Sequence, residues 1–304
     1  IITADRLVGD TAEAAWNVPR ANIIGEPCKR DTAPAIAVAC GLVRRRDPEG
    51  VVCILTADQL MSDVETFRLT LADAIRVAGR EEVIVTMGMQ PTYPATGFGY
   101  IEVGDALETR TVTLFNKATR FVEKPDAYMA ARYVESGKYY WNAGMFIWKT
   151  GTMCKALDEY APELAQLCDA VGETDSPEGL DALLRKAYPS LRAISIDYAV
   201  MEHAKNIVMA RGAFGWDDVG SWPSLAGHFS ADPEGNVVIG SCEPMESLNN
   251  IVVSENRLTA LIGVCGLVVV QSENATLICP KERAEEVKKL LRRIAERPDG
   301  EKYV

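Results

Sequence analysis

Apolar positions fall into two textures along the chain. Up to about His228, short continuous apolar runs alternate with segments of helical spacing. Val51-Val52-Cys53-Ile54-Leu55 and Val83-Ile84-Val85 within 82–88 are the clearest runs. Runs without polar alternation read as strands covered on both faces of a parallel sheet. Between them, 65–78 has the spacing of an amphipathic helix. Strand, helix and strand in that order predict a right-handed crossover. Upstream, 1–6 reads as the tail of a strand running into a helix, and 22–27 as a short strand and its exit. Asp31 or Thr32 is placed to cap a helix with Pro34 in its first turn.

Further along, 111–115 and 118–122 read as strands, and 91–102 as a loop rich in Pro and Gly. Asp126 and Gly137 bracket a helix as N-cap and C-cap. The stretch 152–187 is helical, 197–202 begins another helix, and 207–210 is a short strand. After His228 the runs shorten to 237–239, 250–253, 258–262, 267–270 and 275–278, separated by Gly, Asn, Ser and Glu. That spacing predicts a small all-β module. An amphipathic helix closes the chain over about 281–297, with Val287, Leu290, Leu291 and Ile294 on its apolar side. The division is expected near 225–232, giving domains 1–228 and 229–304. No internal repeat is evident.

Composition narrows the chemistry. The 304 residues carry a formal net charge of −11, which argues against broad nucleic-acid or anionic-membrane binding. No apolar run approaches the roughly 20 residues of a membrane helix. The eight cysteines include no Cys-x-x-Cys pair and read as mostly buried free thiols of a cytoplasmic protein. With only His203 and His228, a zinc site or a histidine-based triad is not expected. The chain begins at Ile1 without a methionine, and its natural N-terminus is expected to lie upstream.

Polar residues gather at the ends of the apolar runs. Thr56-Ala57-Asp58 follows the first buried strand, where open α/β sheets bind ligands, so Asp58 is a metal or ribose candidate. Lys29 and Arg30 flank a helix N-terminus, an anion-compatible place that is equally a plain capped helix with solvated cations. Glu123-Lys124-Pro125 and Asn142-Ala143-Gly144 bring an acid, a lysine, an amide and a glycine towards one place, or form a solvated strand end and a turn. Trp216-Asp217-Asp218-Val219-Gly220-Ser221-Trp222 sets two adjacent aspartates between tryptophans and glycines; helix-capping carboxylates in a turn account for the same residues.

Taken together, these motifs resemble the bacterial mannose-1-phosphate guanylyltransferase family. The matching segments are Glu26-Pro27 with Arg30-Asp31-Thr32-Ala33-Pro34-Ala35, Thr56-Ala57-Asp58, and Thr96-Gly97-Phe98-Gly99-Tyr100-Ile101-Glu102. They continue with Phe121-Val122-Glu123-Lys124-Pro125, Trp141-Asn142-Ala143-Gly144-Met145-Phe146, Ser195-Ile196-Asp197-Tyr198-Ala199-Val200-Met201-Glu202, and the segment from Trp216 to Trp222. The resemblance covers nearly the whole chain in the family's order. It implies a nucleotide-diphospho-sugar transferase fold: an α/β domain with a Rossmann-like mixed, mostly parallel sheet flanked by helices, and a small β-rich C-terminal domain. It also implies GMP transfer from GTP to α-D-mannose 1-phosphate with Mg2+ as cofactor.

The family's Gly-rich signature loop has no equivalent in this sequence. Either the N-terminal part is missing, or the polypeptide is not competent alone. On the remaining residues, Asp58, Lys124 and Asp218 are the expected catalytic positions. Asp58 and Asp218 are the expected metal ligands, with Asp218 preferred to Asp217 on the resemblance. Lys124 is expected on the sugar phosphate, Glu123 and Asn142 on sugar hydroxyls, and Gly99 and Gly144 where backbone approaches the sugar. Glu26, Arg30 and Thr32, with Asp58, are expected on the nucleotide side. The alternatives are a nucleotidyltransferase for another sugar 1-phosphate or base, and a non-catalytic nucleotide-sugar-binding regulatory subunit. The C-terminal module is a candidate homodimer surface, or packs within the monomer.

Overall fold

The computed structural model describes residues 1–303; Val304, the last residue of the expected C-terminal domain, lies outside them. Two compact units divide the chain. The first is Ile1–Ala57 with Met61–Trp216, and the second is Asp58–Leu60 with the chain from Asp217 onward. The division expected after 228 therefore falls inside the second unit. Asp217 already bonds forward to the Ser224 hydroxyl and to His228, which ties residues 217–228 together at the head of that unit.

A six-stranded mixed sheet organises the first unit. Its order is Val51–Ile54, Tyr139–Lys149, Ile84–Met89, Ile207–Gly212, Phe115–Val122, Tyr100–Leu107. Val51–Ile54 and Ile84–Met89 both run antiparallel to Tyr139–Lys149, which lies between them, and Ile207–Gly212 is parallel to Ile84–Met89. Four strands, Val51–Ile54, Ile84–Met89, Ile207–Gly212 and Tyr100–Leu107, share one direction, and Tyr139–Lys149 and Phe115–Val122 oppose it. Among the described pairings of this sheet only Ile84–Met89 with Ile207–Gly212 is therefore parallel, where a mostly parallel sheet was expected. Ile2–Ala4 and Ile24–Glu26 pair separately and in parallel. The strand Tyr100–Leu107, expected as the end of a loop, pairs with Phe115–Val122. Residues 111–114, expected within a strand, lie outside both, with Val112 largely exposed.

Burial on both faces explains the unbroken apolar runs. On one face Ile84, Phe146 and Trp148 meet Ala33, Ile36 and Ala37 of the helix Thr32–Arg46 and Met153 and Leu157 of the helix Thr150–Tyr160. On the other, Val85, Met87 and Ile147 meet Ala74, Val77 and Ala78 of the helix Val64–Arg80. Consecutive strand residues feed opposite cores, as a pleat requires. Removing a buried aromatic such as Trp148 would cost about 3–5 kcal/mol. The pairing of Tyr139–Lys149 with Ile84–Met89 shifts register between Thr86 and Gly88: Thr86 faces Phe146, but Gly88 faces Asn142. The extra residues form a bulge with Gly144 at φ 68°. Such bulges re-aim side chains, and this one carries Asn142.

The second unit is a four-stranded sheet in chain order: Val237–Met245, Ile251–Ile262, Leu267–Gln271, Thr276–Pro280. The first two pairings are parallel and the last antiparallel. Consecutive parallel strands joined by such short corners stack as coils, with Met245 beside Ile262 and Leu248 beside Cys265. Buried Asn236 and Asn250 hold the corners together. The Asn236 carboxamide oxygen accepts from the Asn250 backbone and side-chain nitrogens, each at 3.0 Å. Asn250 passes the chain on, donating to the Val264 carbonyl and accepting from the Leu267 N–H. The closing segment is a 3-10 helix, Lys281–Glu286, followed by an α-helix, Val287–Ala295, in which no residue is buried. Among the described residues no helix is long and apolar enough to cross a membrane.

Candidate active site

Asn142 is the centre of the polar residues in the first unit. It is buried, and both ends of its carboxamide are engaged. Its oxygen accepts from the Thr86 hydroxyl at 2.8 Å and from the Gly144 N–H at 3.2 Å. Its nitrogen donates to Asp197 Oδ1 at 3.1 Å. The amide orientation is therefore fixed, and one N–H remains for a ligand.

Gly99 and Glu123 complete this corner. The Gly99 carbonyl accepts from the Asn142 N–H at 2.8 Å. A Cβ at Gly99 would stand 2.5 Å from Glu123 Oε2, so glycine is what lets the carboxylate approach the strand. Glu123 Oε1 pairs with Lys124 Nζ at 2.9 Å, with the glutamate side chain only 9% exposed and the lysine 57%. Lys124 holds a left-handed backbone, φ 47°, which costs a non-glycine residue free energy and persists only where its surroundings fix it. Here Glu123 is held on both sides, by Lys124 and by Glu202 Oε1 accepting from its N–H at 3.3 Å. Burial works against the Lys124 charge, but Glu123 first, then Tyr198 and Asp197, outweigh it and raise its pKa. The result is an exposed ammonium on a rigid mount, beside an amide and a carboxylate with directed lone pairs.

Asp197 was not among the residues expected at the site. It opens a single π-helical turn, Asp197–Met201, rather than a full helix. Burial, then the neighbouring Glu123 carboxylate, pushes its pKa up to about 6. An acid shifted by desolvation and a specific partner marks a functional candidate. Its signal in sequence was only its place inside Ser195-Ile196-Asp197-Tyr198.

Glu26, Arg30 and Thr32 are gathered by the segment 188–196. The Arg30 guanidinium donates to the carbonyls of Tyr188 at 3.0 Å, Pro189 at 2.7 Å and Lys29 at 2.9 Å. Thr32 Oγ1 accepts from the Ile196 N–H at 2.9 Å. Burial raises the Glu26 carboxyl, and the adjacent Tyr188 hydroxyl pulls it down. Arg30 thus works as a clamp on the 188–196 backbone. Asp31, the residue at the helix N-cap, makes no side-chain cap and sits at φ 66°. The stitches on either side of it, Ile194 N–H to Arg30 O and Ile196 N–H to Thr32 Oγ1, hold that conformation.

The second unit carries Asp58, Asp217 and Asp218. The two adjacent aspartates have different surroundings. Asp217 Oδ1 accepts from the Val219 N–H at 2.8 Å and from the Ser224 hydroxyl, and Oδ2 meets His228 Nε2 at 3.0 Å. These bonds outweigh burial and lower its pKa, so Asp217 is the turn-building carboxylate. Asp218 is raised, by burial first and then by Asp217 and Asp58, against a bond from the Gly220 N–H. A Cβ at Gly220 would collide with Asp218 Oδ2. Asp58 and Asp218 are thus close enough to repel. A half-buried carboxylate whose charge is disfavoured by burial and by neighbouring acids is suited to a hard divalent cation. Among the described residues no three His, Cys, Asp or Glu side chains gather around one point. A cation here would fill its shell with water and ligand oxygens, as magnesium does.

A family model described as Nucleotidyl transferase matches residues 3–234, and one described as MannoseP isomerase/GMP-like beta-helix domain matches 244–294. Mannose-1-phosphate guanylyltransferase of Salmonella muenchen is 38% identical over 273 residues, 89% of this chain and 57% of that protein. The enzyme of that name from Escherichia coli K12 is 36% identical over 276 residues, 90% of this chain and 58% of its own length. The chain thus spans under two thirds of these relatives. The crystal structure of mannose-1-phosphate geranyltransferase from Thermus thermophilus superposes with a TM-score of 0.83 at 30% identity, covering 96% of this chain and 83% of that one.

Proposed function

The chain belongs to the nucleotidyl transferase family, and we propose that it transfers GMP from GTP to α-D-mannose 1-phosphate, releasing diphosphate. The observation that carries this reading is the mount around Asn142. It offers one cation, Lys124, beside a directed amide and the Glu123 carboxylate. A sugar phosphate needs that combination: an ammonium for its phosphate and oriented polar atoms for its hydroxyls. The guanine and mannose halves of the reading follow the names of the relatives.

The attacking phosphate oxygen already carries negative charge near neutral pH, so no general base is needed, consistent with only two histidines in the chain. The obstacle is bringing two anions together and neutralising the charge that builds on the transferred phosphorus and the leaving diphosphate. Lys124 would bind and orient the sugar phosphate for in-line attack without a covalent intermediate. Asp58 and Asp218 would hold magnesium, which supplies charge neutralisation when bound. Glu123 and Asn142 would fix the sugar ring through its hydroxyls.

The test is diphosphate release by the full-length protein over a grid of GTP, ATP, UTP, CTP and dTTP against mannose, glucose and galactose 1-phosphates. GTP with mannose 1-phosphate is expected to turn over fastest. A different preferred pair moves the reading to another sugar-1-phosphate nucleotidyltransferase, and no release from any pair points to a binding subunit. Lys124→Ala is expected to lower turnover by about two orders of magnitude while leaving the fold intact.

A further inference from the structure

Two helices of the first unit bring a pair of cysteines together, and neither sulfur takes part in the hydrogen bonds of Asn142 or the ion pair of Lys124. Cys154 lies on Thr150–Tyr160 and Cys168 on Pro162–Gly172, and only Ala161 separates these helices. Their sulfurs stand 3.8 Å apart, and both are free thiols. Cys168 is buried and Cys154 half-buried. A third element reaches both. Arg44, near the end of Thr32–Arg46, places Nη1 3.7 Å from Cys154 Sγ and Nη2 2.8 Å from Asp169 Oδ1. The Cys168 carbonyl accepts from the same Nη2 at 3.5 Å.

Buried cysteines ordinarily pack as small apolar side chains, and Cys40 on the same helix does: it is wholly buried, and burial pushes its thiol up to about 12. Cys154 differs because its sulfur faces two polar groups, the Cys168 thiol at 3.8 Å and the Arg44 guanidinium at 3.7 Å. That is the surrounding of a reactive thiolate in a positive, partly open place. The Cys168 hydrogen bond, aided by Arg44, draws the Cys154 thiol down to about 7 against burial and the Asp169 carboxylate. The same pairing drives Cys168 far up. The two sulfurs therefore have distinct roles available: Cys154 as nucleophile, Cys168 as proton holder and partner.

We propose that Cys154 and Cys168 are an oxidation site, in which a hydroperoxide oxidises Cys154 and Cys168 closes the disulfide. In the first step the Cys154 thiolate attacks the terminal peroxide oxygen. The O–O bond breaks, two electrons pass from sulfur to the peroxide, and the departing alkoxide or hydroxide takes a proton from solvent. Cys154 becomes a sulfenic acid. In the second step the Cys168 sulfur attacks the Cys154 sulfur, the S–O bond breaks, and hydroxide leaves with the Cys168 proton as water. The sulfurs need to close from 3.8 Å to about 2.05 Å. A small dithiol reverses the sequence by exchange.

The experiment is mass spectrometry of the full-length protein after limited hydrogen peroxide, digested without reductant. Trypsin cuts after Lys149, Lys155 and Arg185, so the two cysteines part into peptides 150–155 and 156–185. A linked pair of these peptides, lost on treatment with dithiothreitol, is expected. In Cys168→Ser the sulfenic acid has no partner, and dimedone is expected to label Cys154. Arg44→Gln is expected to slow linkage roughly fivefold near neutral pH, the effect of about one pKa unit on the thiolate fraction of a thiol that titrates at about 7. Asp169→Asn breaks the same ion pair but leaves the guanidinium on the sulfur, and is expected to link at least as fast as the native chain. Oxidation of the exposed Cys265 with 150–155 unlinked overturns the proposal, as does equal slowing in Arg44→Gln and Asp169→Asn.

Discussion

Around Asn142 each carboxylate meets a donor, whereas Asp218 in the second unit has two further carboxylates for company. In the first cluster Glu123 has Lys124, Asp197 has the Asn142 amide, and Glu202 has a backbone N–H. At Asp218 the neighbours Asp58 and Asp217 both disfavour its charge. The first arrangement is largely satisfied without a ligand. Its order fixes where a sugar's hydroxyls would have to point, because partly buried polar networks have few alternative geometries. The second is left unbalanced by its neighbours, and in the proposed reading a cation would balance it. The difference separates two functional demands: shape recognition calls for a network complete in itself, while charge handling calls for a site that a ligand completes. It also separates the effects of mutation, since acids in the first cluster carry structure as well as chemistry.

The largest expected effect lies at the unbalanced pair. Asp218→Ala is expected to lower turnover by about two orders of magnitude or more, with the melting temperature unchanged or slightly raised because a repulsion is relieved. Asp217→Ala should show the converse. It deletes the acceptor for Val219 N–H, Ser224 and His228, a loss of about 1–3 kcal/mol of stability, and should keep turnover within about tenfold of native. Diphosphate release and thermal unfolding of the two variants, measured side by side, decide it. Equal loss of turnover in both would erase the distinction between the neighbouring aspartates.

Much of this was legible before the structure. The strands at 51–54 and 84–89 were readable because both faces are buried. The helix Ala127–Ser136 was bounded correctly because its caps are local: Asp126 accepts from the Met129 N–H, and Gly137 is left-handed. Gly99, Glu123, Asn142 and Gly144 were expected together and are together. What escaped depends on contacts distant in sequence. The bulge that aims Asn142 exists only in register with Thr86 and Gly88. Asp197 gains its character from Glu123 and Asn142. No repeat was evident in the C-terminal module, yet its coils stack. The corners share a left-handed backbone at Glu246 and Asn249 and again at Gly263 and Gly266, so the recurrence is in φ and not in residue type. Arg30 was expected on the nucleotide side, but its donors face the carbonyls of Tyr188, Pro189 and Lys29, acceptors the sequence does not reveal.

A middle-sized effect tests the first cluster. Asp197 has a folded pKa of about 6 against an ordinary 3.8. Between those values the folded chain keeps a proton that the unfolded chain has released. This group's contribution to stability therefore falls as pH rises through that window and stays low above it. Asp197→Asn keeps an oxygen to accept from the Asn142 amide and removes the ionisation. It is expected to stabilise the fold by about 1–3 kcal/mol at pH 8, and to have little effect at pH 4. Urea unfolding at the two pH values reads this directly. A variant less stable than native at pH 8 would mean that the charge on Asp197 is needed to hold the network, and that the first cluster is no more self-sufficient than the second.

The smallest effect probes the geometry of the same corner. Gly99→Ala sets a methyl carbon 2.5 Å from Glu123 Oε2, closer than real contacts allow, so the carboxylate must swing aside. Lys124 is held by the other oxygen of that group, at 2.9 Å, and its position shifts with it. The Asn142 amide is anchored independently by Thr86 and Asp197 and should stay. Sugar-phosphate binding is therefore expected to weaken about tenfold, near 1.4 kcal/mol, with less effect on turnover at saturation. Titration of mannose 1-phosphate at fixed GTP gives both quantities. A fall in turnover with unchanged KM would place Glu123 on the transition state instead of the sugar ground state, and the contrast between a recognising cluster and a charge-handling pair would have to be redrawn with Glu123 on the other side.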